Sequence, residues 1–186
     1  YDDEYDLSKQ ILGTVEYEGQ TYELISKSGS AVSGTVKGDV EITLVYSLDA
    51  DEDTTPDKYE ATVTYEVVNG TFAEGETTVT QEYVLAEENE EDGTWTEATR
   101  YLENIPVPTA NEGYGNGGWD VTPTTETVVE DGAKYTYTYT ANDQTLRVNY
   151  VMDDEASTVI HEAYTDDAKY DDEYDLSKQI LGTVEY

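Results

Sequence analysis

The sequence predicts a mainly β, small α+β fold, and three observations carry that prediction. Tyr59–Val68 (YEATVTYEVV) and Lys134–Thr140 (KYTYTYT) alternate apolar or aromatic with polar residues at period two, the pattern of half-buried strands. Turn signals centred on glycine and asparagine, Glu18-Gly19 and Asn69-Gly70 among them, punctuate the alternating stretches. Residues 1–17 and 170–186 are one identical string, YDDEYDLSKQILGTVEY, at an offset of 169 residues, which is the signature of a tandem array of small domains.

The elements follow in order. Thr14–Tyr17 and Gln20–Leu24 form a hairpin about Glu18-Gly19. The small polar residues Ser26–Gly34 predict a loop. Asp39–Tyr46 reads as a strand with Val40, Ile42, Leu44 and Tyr46 on one face. Residues 49–58, acidic and interrupted by a proline, read as a linker. Tyr59–Val68 and Glu76–Leu85 are strands, and Glu87–Gly93 is an acidic loop. Thr96–Glu103 predicts a short helix that gathers Ala98, Tyr101 and Leu102. Four glycines in NEGYGNGGWDVTP draw the backbone past Tyr114 and Trp119, and KYTYTYT closes the unit.

From Thr145, Leu146, Val148 and Tyr150 alternate, Asp153-Asp154-Glu155 turns the chain, and Thr158–Ala163 returns. In the repeated segment Asp175 is placed to cap a short helix carrying Leu176 and Ile180, with Gly182 as its terminator. Read across the repeat boundary, residues 142–186 and 1–48 supply strand, strand, helix, hairpin and strand. Residues 59–141 show a similar order. Strands flanking one short helix in this order are those of a β-grasp, so the expectation is two β-grasp-like domains per 169-residue repeat, one of them split across the boundary.

Composition narrows the function. The chain has 43 acidic and 9 basic residues, a net charge of −34. Such a surface repels nucleic acid and anionic membranes and attracts cations. Eighteen tyrosines and two tryptophans argue against disorder. Cysteine is absent, so neither disulfides nor thiolate metal sites hold the fold. No apolar run approaches membrane-spanning length.

Two stretches resemble known families. LRVNYVMDDEAS, continued across the boundary by YELISKSGSAVSGTVKGDVEITLVY, resembles the MucBP (mucin-binding protein) repeat of Gram-positive surface proteins; the matching features are Val148-x-Tyr150 before an acidic turn, Tyr22-x-Leu24 and Ser33-Gly34-Thr35-Val36. VTYEVVNGTFAEG, NEGYGNGGWDVTP and YTYTYT together resemble the SHIRT-like or β-grasp-type repeats that accompany such modules in cell-wall adhesins. The resemblance implies an extracellular, cell-wall-attached tandem-repeat protein with adhesion to host mucin or glycans.

No catalytic constellation stands out. The single histidine, His161, lies in an expected strand, and one imidazole makes neither a triad nor a zinc site. Neither a nucleophile elbow nor a P-loop nor a dinucleotide fingerprint occurs. The chain therefore reads as a non-enzyme. Tyr135, Tyr137 and Tyr139 share a strand face, which packs inward in a half-buried sheet or, turned outward, stacks on sugar rings. Asp49, Asp51, Asp53 and Asp57 crowd nine residues, and alternate carboxylates can converge on Ca²⁺. Asp49-x-Asp51-x-Asp53 begins like an EF-hand loop, but Thr54 stands where glycine is needed. The twelfth position, Glu60, follows a proline, and the terminal ligand is counted as missing.

These features favour a repeat unit of an extended surface stalk, with adjacent identical repeats as its partners and Ca²⁺ stiffening the acidic linker. A mucin- or glycan-binding module acting by avidity and a subunit of a strand-donating filament are the alternatives.

Overall fold

The computed structural model describes residues 1–185. The fold is mainly β, as the alternation predicts. Its strands are β1 (Glu4–Asp6), β2 (Thr14–Tyr17), β3 (Gln20–Gly29), β4 (Ser33–Thr35), β5 (Ile42–Asp49), β6 (Glu60–Val68), β7 (Gly70–Thr71), β8 (Thr78–Val84), β9 (Ala86–Glu88), β10 (Trp95–Glu97), β11 (Thr109–Ala110), β12 (Tyr114–Trp119), β13 (Lys134–Ala141), β14 (Asp143–Val151) and β15 (Val159–Lys169). Helix among the described residues is limited to short 3₁₀ turns, and no helix is long and apolar enough to cross a membrane. Two compact units interleave along the chain: Tyr1–Thr64 with Thr80–Ile105 and Pro123–Lys134, and Tyr65–Val79 with Pro106–Thr122 and everything from Tyr135 onward. A four-stranded sheet has the order β12-β13-β6-β8.

In the first unit β2, β3 and β5 form an antiparallel sheet. Glu18 (φ 52°) and Gly19 (φ 78°) are both left-handed, as a two-residue hairpin turn requires, and Tyr17 faces Gln20. The expected loop over Ser26–Gly34 is only partly a loop. β3 bulges between Leu24 and Ser26, continues to Gly29 against β5, and Ser33–Thr35 then pairs with β1. Small polar residues carry no alternation, so the sequence hides this strand; ladder hydrogen bonds hold it. Leu24, Tyr59, Ala61, Val63, Ala86, Leu102 and Val129 are the unit's buried apolar side chains. Trp95 stacks on Tyr59 with ring centroids 5.8 Å apart.

The helix expected over Thr96–Glu103 does not form. Trp95–Glu97 pairs with β9, reducing the expected acidic loop to a hairpin tip, and Tyr101 bridges to Val128. Arg100 donates from Nε to Val84 O at 3.0 Å and from Nη2 to Ala86 O at 3.2 Å, while Leu102 N donates to Thr127 O at 3.0 Å. Leu102 is buried and Tyr101 exposed, a period-two outcome. Extended pairing satisfies these backbone groups through partners distant in sequence, which outweighs a weak local helix preference.

The second unit is built on aromatic rings laid over bare backbone. Tyr65 stacks on Tyr135 at 5.6 Å, Trp119 meets Tyr137 edge-on at 5.1 Å, and Tyr137 lies 4.8 Å from Tyr139. A methyl group on Gly117 would collide with the Tyr137 ring and stand 2.8 Å from Tyr139 Cδ1; one on Gly70 would stand 2.7 Å from Tyr139 Cδ2. The glycines at 70 and 117 are thus seats for rings. Tyr139 Oη donates to Pro108 O at 2.9 Å and Asn69 Nδ2 to Tyr139 O at 3.0 Å. The tyrosine face packs: Tyr135 is buried and the other two are half-buried.

β14 and β15 form a long hairpin, turned by Asp154, whose carboxylate accepts Thr158 N at 2.8 Å and Thr158 Oγ1 at 2.6 Å. His161 stands opposite Tyr150, edge to face at 4.8 Å. The short helix expected in the repeated segment is one 3₁₀ turn in each copy, Ser8–Gln10 and Ser177–Gln179. Asp175 does not cap it: Leu176 holds the N-cap position without a side-chain bond, while Asp175 one residue earlier accepts Ser177 N at 2.8 Å, and the turn ends at Ile180, before Gly182. Three residues are too few to close an α-helical turn against the neighbouring extended chain.

Gly117→Ala tests the seating of the rings. It should cost about 1–3 kcal/mol, the usual penalty of overpacking, whereas Gly118→Ala, with open space around it, should cost well under that. Equal denaturation midpoints for the two variants would contradict the packing described.

Candidate functional site: the acidic loop

The acidic cluster lies wholly in the first unit. β5 ends on Asp49, and Asp57–Tyr59 makes a 3₁₀ turn that feeds β6. The residues between them, expected as a solvated linker, form a closed hydrogen-bonded loop. Asp49 is only 1% exposed; its Oδ1 accepts Asp53 N at 3.2 Å and its Oδ2 accepts Thr54 N at 3.0 Å. Asp57 Oδ1 accepts Ala50 N at 2.8 Å and Asp53 Oδ1 accepts Thr55 N at 2.7 Å. Pro56 is fully buried. A buried carboxylate is tolerated here because amide donors satisfy both of its oxygens.

The loop brings the four predicted aspartates into two overlapping triads. Asp49, Asp51 and Asp57 each place a carboxylate oxygen within 4.8 Å of the others, and so do Asp51, Asp53 and Glu60. Glu60 is the residue that sequence reasoning discounted. It begins β6, and the proline ahead of the 3₁₀ turn redirects the chain so that the carboxylate swings back over the loop. A cavity of about 300 Å³ opens beside the second triad, bordered by Asp51, Asp53, Glu60, Glu82 and Tyr83. Glu82 comes from β8, and no sequence spacing marks it.

Electrostatics follow the geometry. Loss of hydration and then the Asp53 charge push the Asp51 carboxyl above its ordinary value. Loss of hydration, followed by the charges of Asp51, Asp53, Asp57 and Asp49, raises Glu60. Carboxylates that repel one another at this spacing favour a proton or a cation between them, and oxygen donors of this kind suit a hard divalent ion such as Ca²⁺. Thr54 takes φ 80°, the left-handed conformation that the sixth position of a calcium loop asks of glycine, and Glu52 takes φ 61°. A β-branched residue there holds backbone strain.

No family model, curated protein or solved structure matches the chain.

Two outcomes follow. A carboxyl with a raised folded-state pKa destabilises the fold while ionised; the penalty is full above the folded pKa and is relieved as pH falls below the unfolded values of 3.8 for Asp51 and 4.5 for Glu60. Asp51→Asn should therefore raise the urea midpoint at pH 7 and lose that advantage by pH 3. An advantage that persists unchanged at pH 3 would mean that the ionised Asp51 carboxylate, poorly hydrated and close to Asp53, is not the cause. Thr54→Gly should stabilise by about 1 kcal/mol through relief of the left-handed strain, read by thermal denaturation against Thr55→Gly as the unstrained control.

Proposed function

We propose that this chain is a repeat unit of an extended cell-surface stalk or fibre that holds an adhesive part away from the cell. The observation that carries this reading is the seventeen-residue identity of residues 1–17 and 170–186. Local conformation supports it. The two copies form the same 3₁₀ turn: Asp6 Oδ1 accepts Ser8 N at 2.8 Å as Asp175 Oδ1 accepts Ser177 N at 2.8 Å. A segment that recurs in sequence and in shape is what serial identical units require. The resemblance of two stretches to MucBP and SHIRT-like repeats, read from the sequence alone, favours the same role and a place outside the cell. High like charge disfavours misassembly between near-identical neighbours. The tyrosine face on β13 is occupied by its own glycines and rings, so it offers sugars little platform, and the spacer role ranks ahead of glycan binding.

For the acidic loop the reading is calcium-dependent ordering of the loop itself, since the cluster lies wholly in the first unit. A site with millimolar affinity suffices outside a cell, and a Ca²⁺ concentration ten times Kd adds only about 1.4 kcal/mol. That bias acts on the loop without being needed for folding.

The mass of the full-length natural polypeptide under denaturing conditions tests the stalk. The reading expects a chain much heavier than the 20.7 kDa of these 186 residues. A single 20.7 kDa species would overturn it in favour of a strand-donating subunit. For the cation, the loop amides of Ala50–Thr55 should shift on adding Ca²⁺ in an NMR titration and return with chelator; shifts matched by equal ionic strength of NaCl would reduce the effect to screening.

A further inference from the structure

The two copies of the repeated segment share the conformation of Asp2/Asp171 and of the 3₁₀ turn and differ in what covers them. Asp2 and Asp171 are left-handed at φ 65° and 67°, and Ile11 and Ile180 leave the 3₁₀ turn at ψ 93° and 91°. In the first copy Glu4–Asp6 pairs with Ser33–Thr35, and Thr14–Tyr17 pairs with β3. Tyr5 Oη donates to Ala31 O at 3.0 Å, and Leu12 O accepts Tyr46 Oη at 2.6 Å. Tyr1, at the start of this copy, is 84% exposed, with the Lys37 ammonium over its ring.

In the second copy the coverage is reversed. Tyr170, the equivalent of Tyr1, packs edge-on against Tyr114 at 5.5 Å. Gln179 O, the equivalent of Gln10 O, accepts Tyr150 Oη from β14 at 2.7 Å. Glu173–Asp175 and Thr183–Glu185, the equivalents of β1 and of most of β2, lie in no strand. Tyr174 and Ile180, equivalent to the half-buried Tyr5 and Ile11, are 68% and 72% exposed.

We propose that both faces of one segment are covered at once. A second copy of Glu18–Asp49, following the segment at 170–186 in the array, docks on its exposed face, so that β14, β15, the segment and the next repeat's counterparts of β3, β4 and β5 close a single domain. The occupant is identified by the segment itself: the first copy displays the same seventeen residues with that partner in place. Tyr174 then packs as Tyr5 does, and Glu173–Asp175 gains the pairing of Glu4–Asp6. The segment is a two-sided wedge between the end of one repeat and the start of the next. This inference rests on the tandem-repeat reading.

The test appends residues 18–49 after Tyr186 of the full chain and follows amide hydrogen exchange in β14 and β15 by mass spectrometry. Exchange there should slow by about tenfold or more relative to the unextended chain, because the hairpin joins a larger cooperative unit. Tyr174→Ser with Ile180→Ser should abolish that gain in the extended chain and leave exchange in the unextended chain within about twofold. Unchanged β14–β15 exchange on extension, appended residues that exchange like an unfolded chain, or a double substitution that acts equally in both chains would each overturn the proposal. Any of these results leaves the stalk reading standing, because that reading is decided by the full-length mass.

Discussion

A chain with 43 acidic side chains and 9 basic ones cannot neutralise its carboxylates with ion pairs, and the structure depends on another donor, the backbone amide. Asp6 and Asp175 each take the N–H of the residue two places on, Asp92 takes that of Thr94, Asp154 that of Thr158, and Asp131 that of Thr62. Asp49 takes two. Donors are thereby supplied to the charged form of the group, and Asp6, Asp92, Asp154 and Asp175 are held below the ordinary carboxylate value. Asp92 is held lowest, at about 2, by the Thr94 hydroxyl and amide together with Lys27, whose ammonium lies 3.1 Å away. All of these residues are aspartates rather than glutamates: apart from Asp131, which reaches across to Thr62, each short side chain takes an amide within its own turn or loop.

The same device explains why a highly charged sequence still forms ordered loops. Each aspartate that ties its turn reduces the freedom of a connection between strands, where small cores have little energy to spare. It also makes the repeated segment autonomous. Asp6 and Asp175 close the same turn although one copy pairs into strands and the other does not. A connector with locally encoded shape can present one face to each of two partners. The acidic loop marks the limit of the device: loss of hydration and neighbouring carboxylates push Asp51 and Glu60 above their ordinary values.

How much was legible in the sequence tracks how local each determinant is. KYTYTYT announces β13 because one face of that strand meets rings and the other meets water. Glu18-Gly19 announces its hairpin because the turn needs two left-handed residues. The end of β3 is illegible because Ser26–Gly29 is held by the ladder to β5 rather than by side-chain burial. Thr96–Glu103 misleads because the spacing of Ala98, Tyr101 and Leu102 suits a helix, whereas Arg100 and Tyr101 are committed to partners far along the chain. In the acidic loop the aspartate spacing was visible, but burial of Asp49 and the return of Glu60 depend on where β5 and β6 place the loop ends.

The most direct measurement is a residue-resolved NMR pH titration of the side-chain carboxyls. The account predicts two populations. Asp6, Asp92, Asp154 and Asp175 titrate below the ordinary 3.8, with Asp92 near about 2, whereas Asp51 titrates above 3.8 and Glu60 above 4.5. Raising the salt concentration should lower the second population only by the part due to neighbouring carboxylates, leaving the part due to lost hydration, and should leave the amide-bonded one nearly fixed. A single cluster near the ordinary values, or amide-bonded aspartates that shift with salt as strongly as Asp51 and Glu60, would contradict it.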